Sequence, residues 1–529
     1  MKNIILYTSV ILLLALSGSI RAQISKGCIA IGGSGNDFCN MVQQTSDSGY
    51  VAIGYTASFG VTVDDFYIVK IDKNGNLQWT HAIGGFNADA ATAIVQTTDG
   101  GYAFSGYTSS FGSGFDDYYI GRLDENGNFL WGKAIGGGNN EFAASIQQTA
   151  DGGYVLGGQT NSFGSGDYDF YIVKLDTGGN LQWSKTIGGV ASQEAYSIQQ
   201  THDHGYVMTG VTNEFGTGNE VYVVKLDSLG NLQWTKAIGG AGNETGNSIR
   251  QTSDDGYVIA GYTNSFGAGG DDFYIIKLDS LGTISWTKTI GGTNGDQASS
   301  IQQASDGGYI VGGITSSFEF ANIDVYVVKL DASGNLEWGS VSGGFGDEIC
   351  NSIQQTFDGG YVIGGQTTSF GTGFDDYFIE QIDSSGNSCC PVNSGGTESS
   401  GGTESTGGVE TDAASIVVAT APTDSAGLGT LVANCIITTV NSIQPITELS
   451  VYPNPNQGDF SIKIPNDFKD ATLFISDITG RIIYEDEINS IRKENSFHVL
   501  LPATVTSGVY FLKLKNTQKE INRELIICH

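Results

Sequence analysis

The chain has 529 residues, 56 of them acidic and 24 basic, and its formal net charge is −32 at neutral pH. A surface this negative repels phosphate backbones and anionic lipid, which argues against nucleic acid or a membrane surface as the partner. Glycine is frequent, at 77 residues, while proline is limited to 7. This balance indicates many tight turns between short strands and excludes a collagen-like chain.

The first residues have the pattern of a secretory signal peptide. Lys2 precedes an apolar run from Ile4 to Leu16, and small residues lead to a cleavage position after Ala22. The apolar run is too short for a membrane anchor. We therefore expect residues 1–22 to be a signal peptide, no transmembrane segment in the remainder, and a secreted mature protein.

Residues 23–390 consist of seven copies of one unit, repeated at steps of 51 or 52 residues. A Gly-Tyr pair marks each copy, with its tyrosine at Tyr50, Tyr102, Tyr154, Tyr206, Tyr257, Tyr309 and Tyr361. All six tryptophans of the chain recur with the same period, at Trp79, Trp131, Trp183, Trp234, Trp286 and Trp338. A fixed period of this size indicates one supersecondary unit stacked on its neighbours.

Each copy divides into four alternating runs separated by Asp- and Gly-rich turns: SIQQT, GYVIGGYT, DFYIVKLD and NLQWTKTI, here named strands A, B, C and D. Seven such meanders predict an all-β fold, a seven-bladed β-propeller, with an open β-solenoid as the alternative. A lone strand at 24–31 precedes the first copy, and the seventh copy lacks strand D. We expect the lone strand to complete the seventh blade and close the ring, because a solenoid would leave two exposed sheet edges.

The stretch between strands C and D, such as Leu226–Trp234, resembles the tryptophan-docking motif of quinoprotein dehydrogenase propellers. The resemblance implies that the tryptophan of each blade stacks on a Gly-rich turn of the next blade. The acidic metal ligands and basic partner of those enzymes have no counterpart that we can locate in this sequence. We therefore expect no cofactor.

The seven cysteines of a secreted chain are expected to be largely paired. Cys28 lies in the lone strand, and Cys389 and Cys390 lie where the seventh copy ends. A bond from Cys28 to either of them would clasp the ring. Cys39 and Cys350 occupy equivalent positions in copies one and seven, where a second bond is possible if the ring closes. Free buried cysteines are the alternative.

The repeat stops at Pro391, and two further regions follow. Residues 391–442 are rich in Gly, Ser and Thr and are expected to form a flexible linker, with a loosely structured extension from 415 onward. Residues 443–529 return to alternating runs separated by Pro, Asn and Gly, which predicts a small β-sandwich of about seven strands.

This last region resembles the type IX secretion system C-terminal sorting domain of Bacteroidetes. The matching motifs contain Pro453, Asn454, Pro455 and Gly458, then Asp477 and Gly480, then Gly508, Tyr510 and Lys513. The family implies export across both membranes, contact with the type IX secretion machinery, and release or attachment at the outer cell surface. It also implies that the domain is usually removed.

Two sets of residues are candidate metal ligands. Paired carboxylates open strand C in several copies, at Asp116 and Asp117, Asp271 and Asp272, and Asp375 and Asp376. They would supply oxygen ligands for Ca²⁺. Alternatively, each strand-C aspartate accepts hydrogen bonds from its own loop and offsets the Lys or Arg five residues on. His202 and His204, on one turn, are weaker candidates for a transition metal.

Departures from the repeat are the better pointers to function, because a residue shared by all copies is explained by the blade. The loops at 214–219 and 319–323 depart in copies four and six, and paired glutamines of strand A face the predicted axis. We expect a binding or interaction protein whose ligand is a glycan or a protein. The alternative is an extracellular polysaccharide lyase or hydrolase on the propeller scaffold.

Overall fold

The computed structural model describes most of the repeat region and parts of the two regions that follow. The described residues are 28–387 except 61–62, 113, 216–217, 319–321 and 372–373, then 392–393, 397–399, 403–405, 409–412, 416–420, 423–426, 430–435, 450–452, 459–463, 471–477, 481–488, 496–502, 505, 508–515 and 520–527. All regular secondary structure in these residues is β-strand. Across the described ranges, no helix reaches the length and apolar character that a membrane span requires.

The repeat region forms seven antiparallel sheets in which strands A, B, C and D are neighbours in that order. We number the sheets as blades one to seven. Strand A is Asp37–Gln44, Asp89–Gln96, Glu141–Gln148, Gln193–Gln200, Glu244–Gln251, Asp296–Gln303 and Glu348–Gln355. Strand B is Tyr50–Thr56, Tyr102–Thr108, Tyr154–Thr160, Tyr206–Thr212, Tyr257–Thr263, Tyr309–Thr315 and Tyr361–Thr367.

The outer half of each blade is built from strands C and D. Strand C is Asp65–Ile71, Asp117–Leu123, Asp169–Leu175, Glu220–Leu226, Asp272–Leu278, Asp324–Leu330 and Asp376–Ile382. Strand D is Leu77–Gly84, Phe129–Gly136, Leu181–Gly188, Leu232–Gly239, Ile284–Gly291, Leu336–Ser342 and, for blade seven, Cys28–Gly32. The all-β class and the seven repeated blades are as the sequence predicts.

Turn chemistry explains why the strands end where they do. In the C–D turn of blade one, Asp72 Oδ1 accepts hydrogen bonds from the backbone N–H groups of Asn74 and Asn76, at 2.8 and 2.9 Å. The same arrangement recurs in the other six blades. The A–B turn needs one left-handed residue, which is Gly152 in blade three (φ 82°) and His204 in blade four (φ 63°).

Tryptophan docking between blades matches the expectation from the sequence. A Cβ added to Gly230, which has a φ of 80°, would lie 3.0 Å from the ring of Trp183 in the preceding blade. The Trp183 ring also meets Tyr206 of blade four edge-on, with ring centroids 5.6 Å apart. Glycine is therefore required at this turn both for its backbone conformation and for the close approach of the indole.

The N-terminal strand joins the last blade. Cys28–Gly32 runs antiparallel to strand C of blade seven, with Ile29 opposite Ile379. Blades seven and one also contact each other. Val42 N donates to Ser352 Oγ at 2.9 Å, and the Tyr377 hydroxyl donates to the carbonyl oxygen of Tyr67 at 2.7 Å.

Short strands from the predicted linker lie along the outer edges of the blades. They pair antiparallel with strand D of blades six, five, four, three, two, one and seven in turn, and they are Val392–Asn393, Thr397–Ser399, Thr403–Ser405, Val409–Asp412, Ile416–Thr420, Thr423–Ala426 and Thr430–Cys435. The outer edge of a four-stranded blade presents unpaired backbone groups, which an extended segment satisfies. The composition that predicted a flexible linker did not reveal this pairing.

The C-terminal region forms two antiparallel sheets. One contains Ser450–Tyr452, Asp459–Lys463 and Ser496–Leu500, and the other contains Ile482–Ile488, Ala471–Asp477, Gly508–Lys515 and Glu520–Ile527 in spatial order. Phe460 and Val499 from the first sheet pack with Leu473 and Leu512 from the second. The alternation of apolar and polar residues in the sequence predicts this core.

Cys39 and Cys350 are buried free thiols, so the bond predicted between them is not formed. Each Sγ lies 3.7 Å from a carbonyl oxygen two residues on in its own strand, that of Met41 or Ser352. Burial raises the pKa of Cys39 to about 12. Cys389 and Cys390 lie outside the described residues, so a bond from Cys28 to either of them stays a prediction.

Candidate functional site

Strand A of every blade contributes to a central channel. The channel encloses about 320 Å³ and is lined mainly by Ser, Thr, Asn and Gln side chains, with Ile and Val between them. None of the described residues that line it is acidic. Successive residues of a strand face opposite sides, and this places one side chain in two toward the axis.

Two neighbouring positions near the end of strand A form rings around the axis. We call the seventh position the channel ring because its side chains line the cavity: Gln43, Val95, Gln147, Gln199, Arg250, Gln302 and Gln354. We call the eighth position the clasp ring: Gln44, Gln96, Gln148, Gln200, Gln251, Gln303 and Gln355.

Each clasp-ring glutamine bonds to the preceding blade. In Gln96, Oε1 accepts from Ser46 N at 2.8 Å, while Nε2 donates to Gly100 O of its own turn at 3.2 Å. The corresponding Oε1 bond is present in all seven blades, including the one from Phe357 N to Gln44 Oε1 at 2.7 Å. The clasp ring is thus explained by blade-to-blade attachment.

In each of the five glutamines of the channel ring, only one of the two polar side-chain atoms has a hydrogen-bond partner among the described residues. Their Oε1 atoms accept from the clasp-ring backbone N–H of the following blade at 2.6–2.8 Å. A backbone N–H can only donate, which fixes the orientation of each carboxamide. Among the described residues the Nε2 groups make no hydrogen bond, so five amide donors remain along the channel.

Arg250 takes the place of glutamine in the channel ring of blade five. Its Nη1 donates to the Ile249 carbonyl oxygen at 2.7 Å and to Ser197 Oγ at 3.2 Å. Burial lowers the pKa of the guanidinium from its ordinary value. In the part of the chain that the structure describes, no carboxylate forms an ion pair with it.

Blade four supplies two further side chains found in no other copy. The hydroxyl of Tyr196 donates to Glu194 Oε2 at 2.9 Å. Tyr196 lines both the channel and an adjoining cavity of about 210 Å³ between blades four and five, where it is joined by Glu194, Asn213 and Tyr262. Burial, with the neighbouring Glu194 carboxylate, raises the pKa of Tyr196 well above its usual value.

Comparison with known protein families identifies the C-terminal region. Residues 450–528 match the family model described as "Secretion system C-terminal sorting domain". These residues form a type IX sorting domain. A protein carrying a sorting domain of this family is secreted or displayed at the cell surface, so the propeller acts outside the cell.

The other comparisons are at low similarity. Over 163 residues the chain is 28% identical to the regulatory protein FlaEY of Caulobacter vibrioides, a match that spans 26% of this chain and 17% of the length of that protein. PorZ of Porphyromonas gingivalis, a surface component of the type IX secretion system, aligns at 12% identity with a TM-score of 0.40, covering 94% of this chain and 60% of PorZ. A Dyadobacter fermentans protein of unknown function aligns at 12% identity and a TM-score of 0.40, covering 68% and 98%.

The sorting-domain motif is described in part. Gly508 begins its strand, Tyr510 is buried in the core between the two sheets, and Lys513 lies opposite Phe474. Asp477 ends the strand Ala471–Asp477. Pro453, Asn454, Pro455, Gly458 and Gly480 lie outside the described residues.

In the predicted calcium pairs, the two neighbouring aspartates accept hydrogen bonds from different groups. In blade five, Asp271 accepts from Gln297 Nε2 at 2.7 Å, whereas Asp272 accepts from Ala268 N of its own loop at 2.9 Å. In blade two, Asp116 accepts from the Ser109 hydroxyl and Asp117 from Gly114 N at 3.3 Å. Asp375 and Asp376 occupy the same two positions in blade seven. No group of three or more His, Cys, Asp or Glu in the described ranges is arranged to hold a metal ion.

The alternative account of these aspartates is right about the loop and wrong about the charge partner. Lys174 of strand C pairs with Asp151 of the A–B turn at 3.0 Å, not with Asp169. Five other blades have the same pair. The strand-C cation therefore forms its ion pair with the aspartate of the A–B turn and not with the carboxylate at the start of its own strand.

The two remaining departures noted in the sequence have structural explanations. His202 Nδ1 lies 2.8 Å from Asp255 Oδ1 on the next blade, and within the described ranges the His-x-His turn belongs to no group of three or more possible metal ligands. Glu214 Oε2 accepts from Gln193 Nε2 at 3.0 Å. In the other six blades the first residue of strand A is acidic. In blade four that residue is Gln193, and the carboxylate is instead on the loop, at Glu214. Residues 319–321 of the copy-six loop lie outside the described ranges.

The sequence reasoning missed Glu194, Tyr196 and Arg250. A signal was available, because the strand-A motif SIQQT becomes SIRQT at Arg250 and a tyrosine replaces a small residue at Tyr196. What the sequence could not supply is that adjacent blades bring Tyr196 and Arg250 to one wall of the channel, with Glu194 beside Tyr196 in the adjoining cavity.

Proposed function

We propose that the propeller is a binding module displayed outside the cell, and that it holds a glycan in its central channel. The observation that carries this proposal is the channel ring, whose amide Nε2 donors have no partner among the described residues. Sugar hydroxyls accept and donate hydrogen bonds, and amide groups complement them. A volume of about 320 Å³ is near the lower end of the range for small-molecule sites, roughly 300–1,000 Å³.

A glycan suits this position better than a folded protein. The donors lie inside a channel bounded by seven strands, where the end of a sugar chain fits and a protein surface does not. The location outside the cell that the sorting domain specifies is also where polysaccharides are met.

A polysaccharide-degrading enzyme is the second candidate, favoured by the contact between Tyr196 and Glu194. A tyrosine can act as general base when its hydroxyl ionises near neutral pH. Here the raised pKa of Tyr196 opposes ionisation, and the hydrogen bond engages its proton with Glu194. Binding without turnover is the function that this geometry supports better.

The test compares two variants of the full chain on a glycan array. Ala144→Trp places an indole in the channel, where Ala144 is part of the lining. Ala150→Trp, on an exposed turn of the same blade, is the matched control. We expect Ala144→Trp to lose glycan binding while Ala150→Trp retains it. Equal binding by both variants would overturn the channel as the site.

A screen of the same glycans for depolymerisation separates the two candidates. We expect no product from the wild-type chain. Reproducible product that disappears in Tyr196→Phe would establish the enzyme instead.

A further inference from the structure

We propose that the channel ring recognises the acidic group of the glycan, a uronate carboxylate or a sulfate ester, with Arg250 as its counter-charge. The proposal rests on the proposed function, because it names the chemical class of ligand that the channel holds.

The first argument is the isolation of the Arg250 charge. The six cations of strand C, which are more deeply buried than Arg250, each pair with an A–B turn aspartate at 2.6–3.0 Å. Among the described basic residues, Arg250 alone lines the channel, with one hydroxyl and one carbonyl oxygen as its hydrogen-bond acceptors. Arg250 is half-buried, and a partly desolvated cation without a counter-charge carries a free-energy cost. Such a residue is explained when the missing negative charge arrives with a ligand.

The second argument is the composition of the lining. Although the chain carries a net charge of −32, no acidic residue is among the described residues that line the channel. Field lines concentrate in a narrow cleft with low-dielectric walls. The channel is therefore a local positive site inside an acidic protein, and it selects negatively charged groups.

The third argument is the fixed direction of the donors. The Oε1 atoms of Gln43, Gln147, Gln199, Gln302 and Gln354 are held by backbone amides, so their Nε2 groups are donors only. A carboxylate or sulfate accepts several hydrogen bonds at once, and a guanidinium binds either group through two parallel ones. Donors from six blades around one axis fit a compact oxyanion better than a neutral hydroxyl.

The fourth argument is that arginine at position 250 removes a hydrogen bond between two blades. A glutamine at this position would accept from Gln303 N, as the equivalent glutamines of five other blades do. Arg250 has no acceptor for that N–H. The substitution therefore weakens one blade interface and gains a charge, as expected of a binding residue.

The experiment measures binding by isothermal titration calorimetry on the full chain. The probes are digalacturonate, galactose 6-sulfate, neutral galactobiose and inorganic sulfate. The variant is Arg250→Gln, which restores the residue of five other blades and so is expected to fold. Lys133→Gln removes the same charge from another half-buried residue, on strand D of blade two, and serves as the control.

We expect at least one acidic sugar to bind more tightly than galactobiose. Arg250→Gln should weaken that binding by roughly 10- to 100-fold, the range for hydrogen bonds to a charged group. Lys133→Gln should leave it unchanged. Comparing digalacturonate with galactose 6-sulfate identifies which acidic group the channel prefers.

The other outcomes are informative in different ways. If galactobiose binds as tightly as the acidic sugars and Arg250→Gln changes nothing, the acidic-ligand inference falls while glycan binding stands. If inorganic sulfate binds in an Arg250-dependent manner and no sugar binds, the anion site stands while the glycan function falls. If no probe binds, both are overturned.

Discussion

The clasp ring and the channel ring occupy adjacent positions on the same seven strands, yet they differ in composition and in hydrogen bonding. The clasp ring is glutamine in every blade, and each Oε1 is bonded to the blade before it. The channel ring contains five glutamines, a valine and an arginine, and the Nε2 donors of its glutamines have no partner among the described residues. The clasp ring is uniform and its Oε1 hydrogen bonds are complete, so blade attachment explains it. The channel ring varies in sequence and keeps hydrogen-bond donors that are available to a ligand.

One pair of variants should separate the two rings at a single interface. Gln96→Ala removes the clasp-ring bond to Ser46 N, and Gln43→Ala removes the channel-ring bond to Gln96 N. Both bonds join blades one and two, so each variant should lose about 1 kcal/mol of unfolding free energy. Only Gln43→Ala should also weaken binding of inorganic sulfate, by roughly 2- to 10-fold for one neutral donor.

Chemical denaturation and sulfate titration check this pair of variants. Equal loss of binding in Gln96→Ala and Gln43→Ala would contradict the distinction between the rings. Equal stability loss with unequal binding is the predicted pattern.

A second prediction separates stability from binding through pH. Burial raises the pKa of Glu220 to about 7 and those of Asp169 and Asp272 to about 6. Because the folded state favours the protonated form of these groups, their contribution is complete below about pH 4. It is lost as pH rises through 6 to 7, at up to about 1.4 kcal/mol per pH unit for each group.

We therefore expect the melting temperature to be higher at pH 5 than at pH 8. Glu220→Gln, which mimics the protonated side chain, should raise stability at pH 8 and flatten the profile. Sulfate binding should not change over this range, because Arg250 stays charged. A melting temperature that rises from pH 5 to pH 8 would refute the account of these carboxylates.

The smallest effect concerns the valine of the channel ring. Val95→Gln should allow the new carboxamide to accept from Gln148 N, as in five other blades, and should add a sixth amide donor. We expect a gain of less than about 1 kcal/mol in stability and a severalfold increase in sulfate affinity. A loss of affinity would show that the donors do not act together.

The repeat made the fold predictable. The spacing of Tyr50 and its equivalents, the Asp- and Gly-containing turns and the incomplete seventh copy predict the blades and the placement of Cys28–Gly32 in blade seven. The sorting domain was predicted from motifs such as Gly508 and Tyr510. These features are local in sequence or fixed by a period, and either kind can be recognised without the structure.

The candidate site was much less predictable. A contact with Asp255 of the next blade explains His202, and a hydrogen bond from Gln193 of its own blade explains Glu214, although both stood out as departures from the repeat. Arg250 and Tyr196 lie 54 residues apart and share a wall only because blades four and five are neighbours around the channel. Whether a departure is compensated depends on contacts within and between blades, which strand periodicity does not specify.

Diffraction from crystals of the full chain soaked in selenate, which mimics sulfate and gives an anomalous signal, tests the central claim most directly. The account predicts an anomalous peak in the channel within hydrogen-bonding distance of Arg250 and the Nε2 groups of channel-ring glutamines, absent in Arg250→Gln. A channel without a peak in the wild-type crystal, or a peak that persists unchanged in Arg250→Gln, would contradict it.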